Sequence, residues 1–411
     1  MNIPDTLLQN KKILLGVTGS IACYKSLELV RLFVKAGAEV RVVMSEGAKK
    51  FITPLTFETL TSNRVLDDTN ESWSDDFNHI KTSEWADLLV IAPATANTMA
   101  KLSHGIADTM LLQCALAFSG KKVLSPSANT NMLNNPITQE NIDLLKKSNY
   151  TFVGTQVKEL ACKRVGDGAM AEPIEIFYSC AKTLLEDDFW SGRDVVVTGG
   201  GTIEKIDDVR FISNFSSGKM ASAMATALYC LGANVKLIAT KFDANLASGI
   251  KILHVQSTQG MYEAVVSSLE FSKLNAVKKP YLFMAAAVSD YLPATAKDGK
   301  LKKEKLGTIW NLELSKNRDI LASVDKDGVI VVGFKAEMDI KNAKKHATNM
   351  LKNKNINAVC LNILKNSDSF GTDTNEIEFI TEDDSVLIPS AQKLDIAFKI
   401  LDNAAQIKEK L

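Results

Sequence analysis

Apolar runs of strand length alternate along the chain with amphipathic stretches of helical length. Ile13 to Val17 is one such run; after TGSIACYKS a helical pattern extends from about Ala22 to Ala36, and GAEVRVVMS reads as a turn plus a second strand. The same plan recurs at Val195 to Val197, followed by Gly199, Gly200 and Gly201, a helix expected from about Ser217 to Leu231, and GANVKLIAT. Strand, Gly-rich turn, helix, Gly-Ala, strand is how a parallel α/β sheet opens. One sheet rarely opens twice. The boundary is therefore placed near Trp190–Arg193, where EDDFWSGRD supplies charge and a turn signal, giving domains 1–190 and 191–411.

Further strands are expected at Leu88–Ala92, Lys122–Leu124 and Tyr150–Val153 in the first half. In the second they are expected at Tyr281–Ala286, Val329–Gly333 and Ile356–Leu361. Ile377–Thr381 and Val386–Ile388, separated by EDDS, predict a late hairpin, and Ser390 is expected to cap a terminal helix. The fold class is α/β, with two open, mostly parallel Rossmann-like sheets in tandem.

Composition narrows the function. At 411 residues the chain is long enough for about two or three domains. With 46% apolar and 23% charged residues it has the balance of a globular protein, not a disordered one. Lys plus Arg equals Asp plus Glu at 48 each, which argues against general nucleic-acid binding. No stretch is long and apolar enough to span a bilayer; Met220 to Val235, the longest candidate, reads as a packed helix. The N-terminus lacks the build of a signal peptide, and the six cysteines show no CxxC spacing. A soluble, cytoplasmic protein without membrane or nucleic-acid partners is expected.

Gly16-Val-Thr-Gly-Ser-Ile-Ala, between strand and helix, places backbone N–H groups and the Ser20 hydroxyl where a phosphate would bind; the alternative is a tight turn with no ligand. It is neither the dinucleotide fingerprint nor a Walker A loop. In the second half a long insertion separates the three glycines from the helix and ends in Asn214-Phe-Ser-Ser-Gly-Lys-Met. Ser216 and Ser217 stand as helix caps there. Two serines, a glycine and a lysine at one helix start favour an anion site.

Together these segments resemble a known family. The first half carries TGSIACYK, Asn78-His79-Ile80, APATAN, PSANTNM and LACKRVGDGAMAEP. The second carries TGGGTIEKIDDVRFISNFSSGKM, MAAAVSDY, Lys300-Leu-Lys-Lys, KNRDI, VGFKAE and FGTDTN. The order and extent are similar to the bifunctional coenzyme A biosynthesis proteins, in which phosphopantothenoylcysteine decarboxylase is fused to phosphopantothenate–cysteine ligase. The resemblance implies a flavodoxin-like domain binding FMN, followed by a ligase domain using CTP and Mg²⁺, with 4′-phosphopantothenate and cysteine as substrates. It implies FMN contacts at Gly19, Ser20, Ser45, Ala94, Thr95 and Asn97, and decarboxylase chemistry at His79, Asn129 and Cys162. In the ligase it implies catalytic roles for Arg210, Asn214 and Lys300. Nucleotide contacts fall on Met284, Ala285, Ala286, Asp290, Lys300, Arg318, Asp319, Ile320, Leu321, Phe334 and Lys354. The metal ligands are not assigned. A homo-oligomer is expected, with a dodecamer built from flavin-domain trimers and ligase-domain dimers.

The chain departs from the family pattern in places. Lys163-Arg164 replace Gly-Asp beside Cys162, Ala169 replaces Arg, and Ala128 replaces Met. Arg318 replaces Pro, Lys335 replaces Ala, and Met350 replaces Lys. The proposed reacting groups remain.

The chemistry explains the residue types. Cysteine carboxylate loses CO₂ only if an electron sink forms beside it, which oxidation to a thioaldehyde supplies; flavin takes the hydride and returns it. A histidine base suits this at neutral pH, Asn129 offers an amide to the carboxylate, and Cys162 offers a proton on the return. In the ligase, Lys300 and Arg210 would stabilise charge at phosphorus as an acyl-cytidylate forms. Rival readings are another FMN-dependent cysteine decarboxylase or flavin prenyltransferase, a non-catalytic flavin-binding regulatory subunit, and a nicotinamide oxidoreductase.

Overall fold

The computed structural model describes residues 3–159, 165–302, 306–364 and 371–408. The chain divides into two compact units, residues 3–185 and 186–411. This division lies N-terminal to the expected boundary for a physical reason. Trp190 is buried and packs edge-on to Phe189 and Tyr281, at 4.9 and 5.0 Å between ring centroids, so the 186–190 segment belongs to the second core. Truncating a buried Trp of this kind costs about 3–5 kcal/mol.

The first unit is built on β1 (Lys12–Val17), β2 (Glu39–Met44), β3 (Leu88–Ala94), β4 (Lys121–Pro126) and β5 (Tyr150–Phe152). They form one parallel sheet in the order β2-β1-β3-β4-β5. Every residue of β3 is buried, as expected for a central strand covered on both faces by helices. The helix Cys23–Lys35 buries Cys23, Ser26, Leu29, Val30 and Phe33, a single stripe at helical spacing. It stops before Gly37, whose φ of +88° and close approach to the Asp5 carbonyl exclude a side chain. A hairpin of β6 (Gln156–Glu159) and β7 (Val165–Ala169) was not predicted.

The second unit contains β8 (Asp194–Gly199), β9 (Ile203–Lys205), β10 (Phe211–Ser213), β11 (Asn234–Ala239), β12 (Lys251–His254), β13 (Tyr281–Met284), β14 (Tyr291–Pro293) and β15 (Leu314–Lys316). It continues with β16 (Ile330–Glu337), β17 (Ala358–Ile363), β18 (Thr374–Ile380) and β19 (Ser385–Gln392). The main sheet has the order β12-β11-β8-β13-β16-β17-β18-β19, parallel through β17, with β18 running antiparallel to both β17 and β19. The predicted late hairpin is therefore present. The terminal helix is Lys393–Ala404 and has no side-chain cap; Ser390 lies inside β19, because pairing with β18 extends that strand past it. The long insertion after the three glycines holds the β9–β10 hairpin. No described helix is long and apolar enough to cross a membrane.

Candidate functional sites

An open α/β sheet binds ligands where the direction of winding reverses, at the carboxyl ends of the strands. In the first unit that point lies between β1 and β3, and the loops after both strands are tied together there. The Thr18 hydroxyl donates to the Pro93 carbonyl at 2.6 Å and accepts from the Thr95 backbone N–H at 3.1 Å. Ser20 Oγ lies 3.0 Å from Ser127 Oγ, which brings in the loop after β4. A Cβ on Gly19 would stand 3.0 Å from the Gly47 backbone, so a glycine here lets the Ser45–Gly47 turn approach without displacement. Ser45 and Thr95 each cap a helix, accepting from Ala48 and Thr98 N–H. Ala94 is buried at the end of β3, and Asn97 is exposed on the helix that follows. The result is an uncharged cradle of hydroxyls and backbone N–H groups, of the kind that holds a phosphate monoester.

Asn129 caps the short helix Thr130–Leu133, with Oδ1 accepting from Asn131 N–H at 3.0 Å. The strand β7 lies on this loop: the Ala128 N–H donates to the Gly168 carbonyl at 3.0 Å. Cys162, immediately upstream of β7, lies outside the described residues, as do Lys163 and Arg164.

His79 stands apart from these contacts, at the first position of the helix His79–Trp85, which Asn78 caps. Its Nδ1 is 2.7 Å from Glu71 Oε1, and the Trp73 ring meets it edge-on at 5.8 Å. A carboxylate at this distance accepts a hydrogen bond from Nδ1–H, which leaves Nε2 as the acceptor nitrogen of the neutral ring. Glu71 carried no sequence signal.

In the second unit the winding reverses between β8 and β13. A cleft of about 560 Å³ opens beside it, lined by Asn214, Met284, Ala286, Asp290, Arg318, Asp319, Ile320, Leu321, Phe334 and Lys354, all predicted from the sequence. Its charged lining is Lys316, Arg318, Lys335 and Lys354 against Asp290 and Asp319, four cations to two carboxylates. Asp319 caps the helix Ile320–Ser323 and pairs with Lys354 at 2.6 Å. Burial pushes the Asp319 carboxyl up, but the Lys354 hydrogen bond and the cap outweigh it, and the net direction is downward. Arg318 lies over the Tyr262 ring at 4.1 Å. Asn317, which the KNRDI motif did not single out, donates to Thr258 Oγ1 and the Ser289 carbonyl at 3.0 and 2.9 Å and so fixes the cleft floor.

A second, smaller cleft of about 180 Å³ adjoins the first and shares Ala286, Ala287, Phe334, Lys335 and Ala336 with it. Ala285 lines this one instead of the larger cleft. Ser216, Ser217, Gly218 and Lys219 lie here, and among the described residues its charged lining is Lys219, Lys335 and Lys393 with no carboxylate. The two serines are not the caps they were expected to be. Gly218 occupies the N-cap of the helix Lys219–Cys230 at φ 72°, because the Lys241 carbonyl leaves no room for a side chain. Burial pushes the Lys393 ammonium below its ordinary value, and Lys219 pushes it further.

Arg210 and Lys300 line neither cleft. Arg210 donates to the Leu301 carbonyl at 2.7 Å, and the buried Asp207 accepts from Arg210 N–H and Leu301 N–H at 2.7 and 3.1 Å. The loop carrying the exposed Lys300 is thus tied to the β9–β10 hairpin. Among the described residues no three His, Cys, Asp or Glu converge on a metal position. A larger hollow, about 1030 Å³, lies at the opposite ends of the strands around Lys326, Asn357 and Glu382 and holds none of the predicted residues.

Comparison with known proteins agrees with this division. A family model described as Flavoprotein matches residues 1–185, and one described as DNA/pantothenate metabolism flavoprotein C-terminal domain matches residues 190–407. The chain is 38% identical to the coenzyme A biosynthesis bifunctional protein CoaBC of Bacillus subtilis (strain 168), over 98% of either chain. It is 35% identical to the protein of that name from Vibrio parahaemolyticus, over 97% of this chain and 99% of the relative. A solved structure of a CoaBC C-terminal domain is 30% identical and covers 53% of this chain and 97% of its own, with a TM-score of 0.43. With both halves matched in order and over nearly their whole length, the chain belongs to the bifunctional decarboxylase–ligase family of coenzyme A biosynthesis.

Proposed function

We propose that the two halves perform consecutive steps, ligation in residues 186–411 and decarboxylation in residues 3–185. The observation that carries this is the pair of adjoining, cation-lined clefts at the winding reversal of the second sheet. One fits a nucleoside triphosphate, here CTP, and the other a small phosphorylated acid, here 4′-phosphopantothenate. The acid's carboxylate attacks the α-phosphorus of CTP, pyrophosphate leaves, and the acyl-cytidylate is captured by the amine of cysteine with loss of CMP. Asn214 stands at the cleft wall, its Nδ2 donating to the Val288 carbonyl at 3.0 Å, where it orients the acyl phosphate. Arg210, in the β9–β10 hairpin, and Lys300, in the loop tied to it, act together as that loop closes over the nucleotide. Mg²⁺ would enter with the triphosphate, whose phosphate oxygens and waters supply most of its coordination.

In the first half the uncharged cradle at Gly19, Ser20, Ser45, Ala94, Thr95 and Asn97 fits the phosphate and ring edge of FMN. When bound, FMN supplies a hydride acceptor and donor, so decarboxylation to 4′-phosphopantetheine is redox-neutral. His79, held by Glu71, takes the substrate proton at Nε2. Asn129 binds the carboxylate that leaves as CO₂, and Cys162 returns a proton. Apolar side chains beside the cradle are exposed, Ile21 at 56%, Tyr24 at 61% and Met132 at 54%, which supports a trimer completed over this face. With ligase dimers the assembly is a dodecamer in the cytoplasm.

Incubating the protein with 4′-phosphopantothenate, CTP, Mg²⁺ and cysteine tests the whole scheme. Pyrophosphate should appear first, then CO₂ and phosphopantetheine. Pyrophosphate release that does not depend on the acid would refute it.

A further inference from the structure

Lys335 is the one charged residue, among those described, that lines both clefts of the second unit. It sits near the end of β16, where Phe334, Lys335 and Ala336 form the rim between the two spaces. Lys335 and Glu337 point to the same side of the strand, two residues apart, and their charged groups are 3.0 Å apart. Glu337 is shared: His346 Nδ1 also lies 3.0 Å from the same carboxylate oxygen. Burial pushes the Glu337 carboxyl up, while Lys335 and then His346 pull it down, and the net direction is downward. Glu337 is thus a charged tether that holds the Lys335 ammonium at the rim, with part of its own charge already engaged elsewhere.

Two anions that react with each other must first come into contact, and their repulsion rises as they approach. A cation confined to one cleft relieves only the ligand in that cleft. A cation on the shared rim acts on the point of contact, where the negative charge is greatest as the new bond to phosphorus forms. We infer that Lys335 bridges the two bound anions, contacting the nucleotide phosphates from one side and the acid from the other. This rests on the ligase reading above and adds to it a group that sets how the two substrates meet.

The signature is coupled. Replacing a residue of one cleft raises one KM; Lys335→Met, which keeps the stem and removes the charge, should raise KM for both CTP and 4′-phosphopantothenate. The combined loss in pyrophosphate release should be about ten- to a hundredfold. Lys335→Arg should recover most of it, and decarboxylation of supplied phosphopantothenoylcysteine should not change. If Lys335 served only the ion pair, Glu337→Gln would fail to the same degree as Lys335→Met; Gln keeps an oxygen for the Lys335 ammonium, so a much smaller loss in Glu337→Gln supports the bridge. The inference is overturned if Lys335→Met stays within twofold of wild type, if only one KM moves, or if both variants fail alike. Should the wild type itself release no pyrophosphate, the ligase reading fails separately. Calorimetric titration with inorganic tripolyphosphate then decides: weaker binding by Lys335→Met keeps Lys335 as an anion-binding group, and equal binding removes it.

Discussion

The two winding reversals occupy the same topological place and are furnished in opposite ways. Between β1 and β3 the candidate side chains are Gly19, Ser20, Ser45, Thr95 and Ser127, none of them charged, and hydrogen bonds through Thr18 and Ser127 lock them together. Between β8 and β13 the neighbouring clefts carry lysines and an arginine in excess of carboxylates. Fixed hydroxyl and N–H groups suit a resident cofactor that stays bound through many turnovers. An excess of cations suits a highly charged co-substrate that must arrive, react and leave as fragments. On the function proposed above, similar folds would support a holding site and an exchanging site, with the difference carried by side chains at the strand ends.

The contrast breaks if one half's chemistry depends on the other's residues. The largest expected effect is His79→Asn, which should lower CO₂ release by about a hundredfold or more, the usual weight of a general base, and leave pyrophosphate release intact. Loss of both activities in a folded variant would refute the separation. Asn214→Asp or Lys300→Gln should do the reverse, abolishing most ligation while the bound flavin keeps its spectrum and its decarboxylation.

Cys162→Ser isolates one half of the flavin cycle. A serine hydroxyl is a far weaker acid than a thiol, so the return of the proton should fail. Anaerobic addition of substrate should bleach the yellow colour once, with one CO₂ per flavin and no recovery. Full turnover would move the proton donor elsewhere. Replacing Lys163 and Arg164 by Gly and Asp should be tolerated.

Salt sharpens the contrast between holding and exchanging. Raising the ionic strength shortens the range of exposed charges. KM for CTP should therefore rise several-fold while FMN stays bound through gel filtration in the same buffer. Equal sensitivity of both would show that the cradle also works by charge.

The smallest effect concerns Asp319. Its folded pKa is depressed, so the pair with Lys354 contributes stability above the unfolded carboxyl value, about 3.9, and loses it as pH falls through the lower folded value. Asp319→Asn keeps the helix cap and should lower Tm slightly at pH 6, with the difference shrinking progressively as pH falls below the unfolded carboxyl value. A constant difference across that range would mean the ion pair adds nothing.

The alternation of strand-length and helix-length runs, with two Gly-rich openings, was enough to show two parallel α/β sheets, because period and turn chemistry are local. The motifs were equally legible, and most of the nucleotide residues predicted from them do line one cleft. Local reading failed where a distant partner decides. Ser216 and Ser217 face a cleft instead of capping a helix because a carbonyl from residue 241 forces Gly218 into the cap. Ser390 lies in a strand because β18 extends its pairing. The 186–190 segment joins the second unit because Trp190 finds Tyr281 across nearly a hundred positions. Glu71 beside His79, and Lys335 on a rim shared by two clefts, are likewise invisible in a linear reading. Periodicity and turn residues determine which elements exist, since their energies come from neighbours in the chain. Which side chains meet at a site depends on the order in which strands pair, and only the tertiary structure decides that.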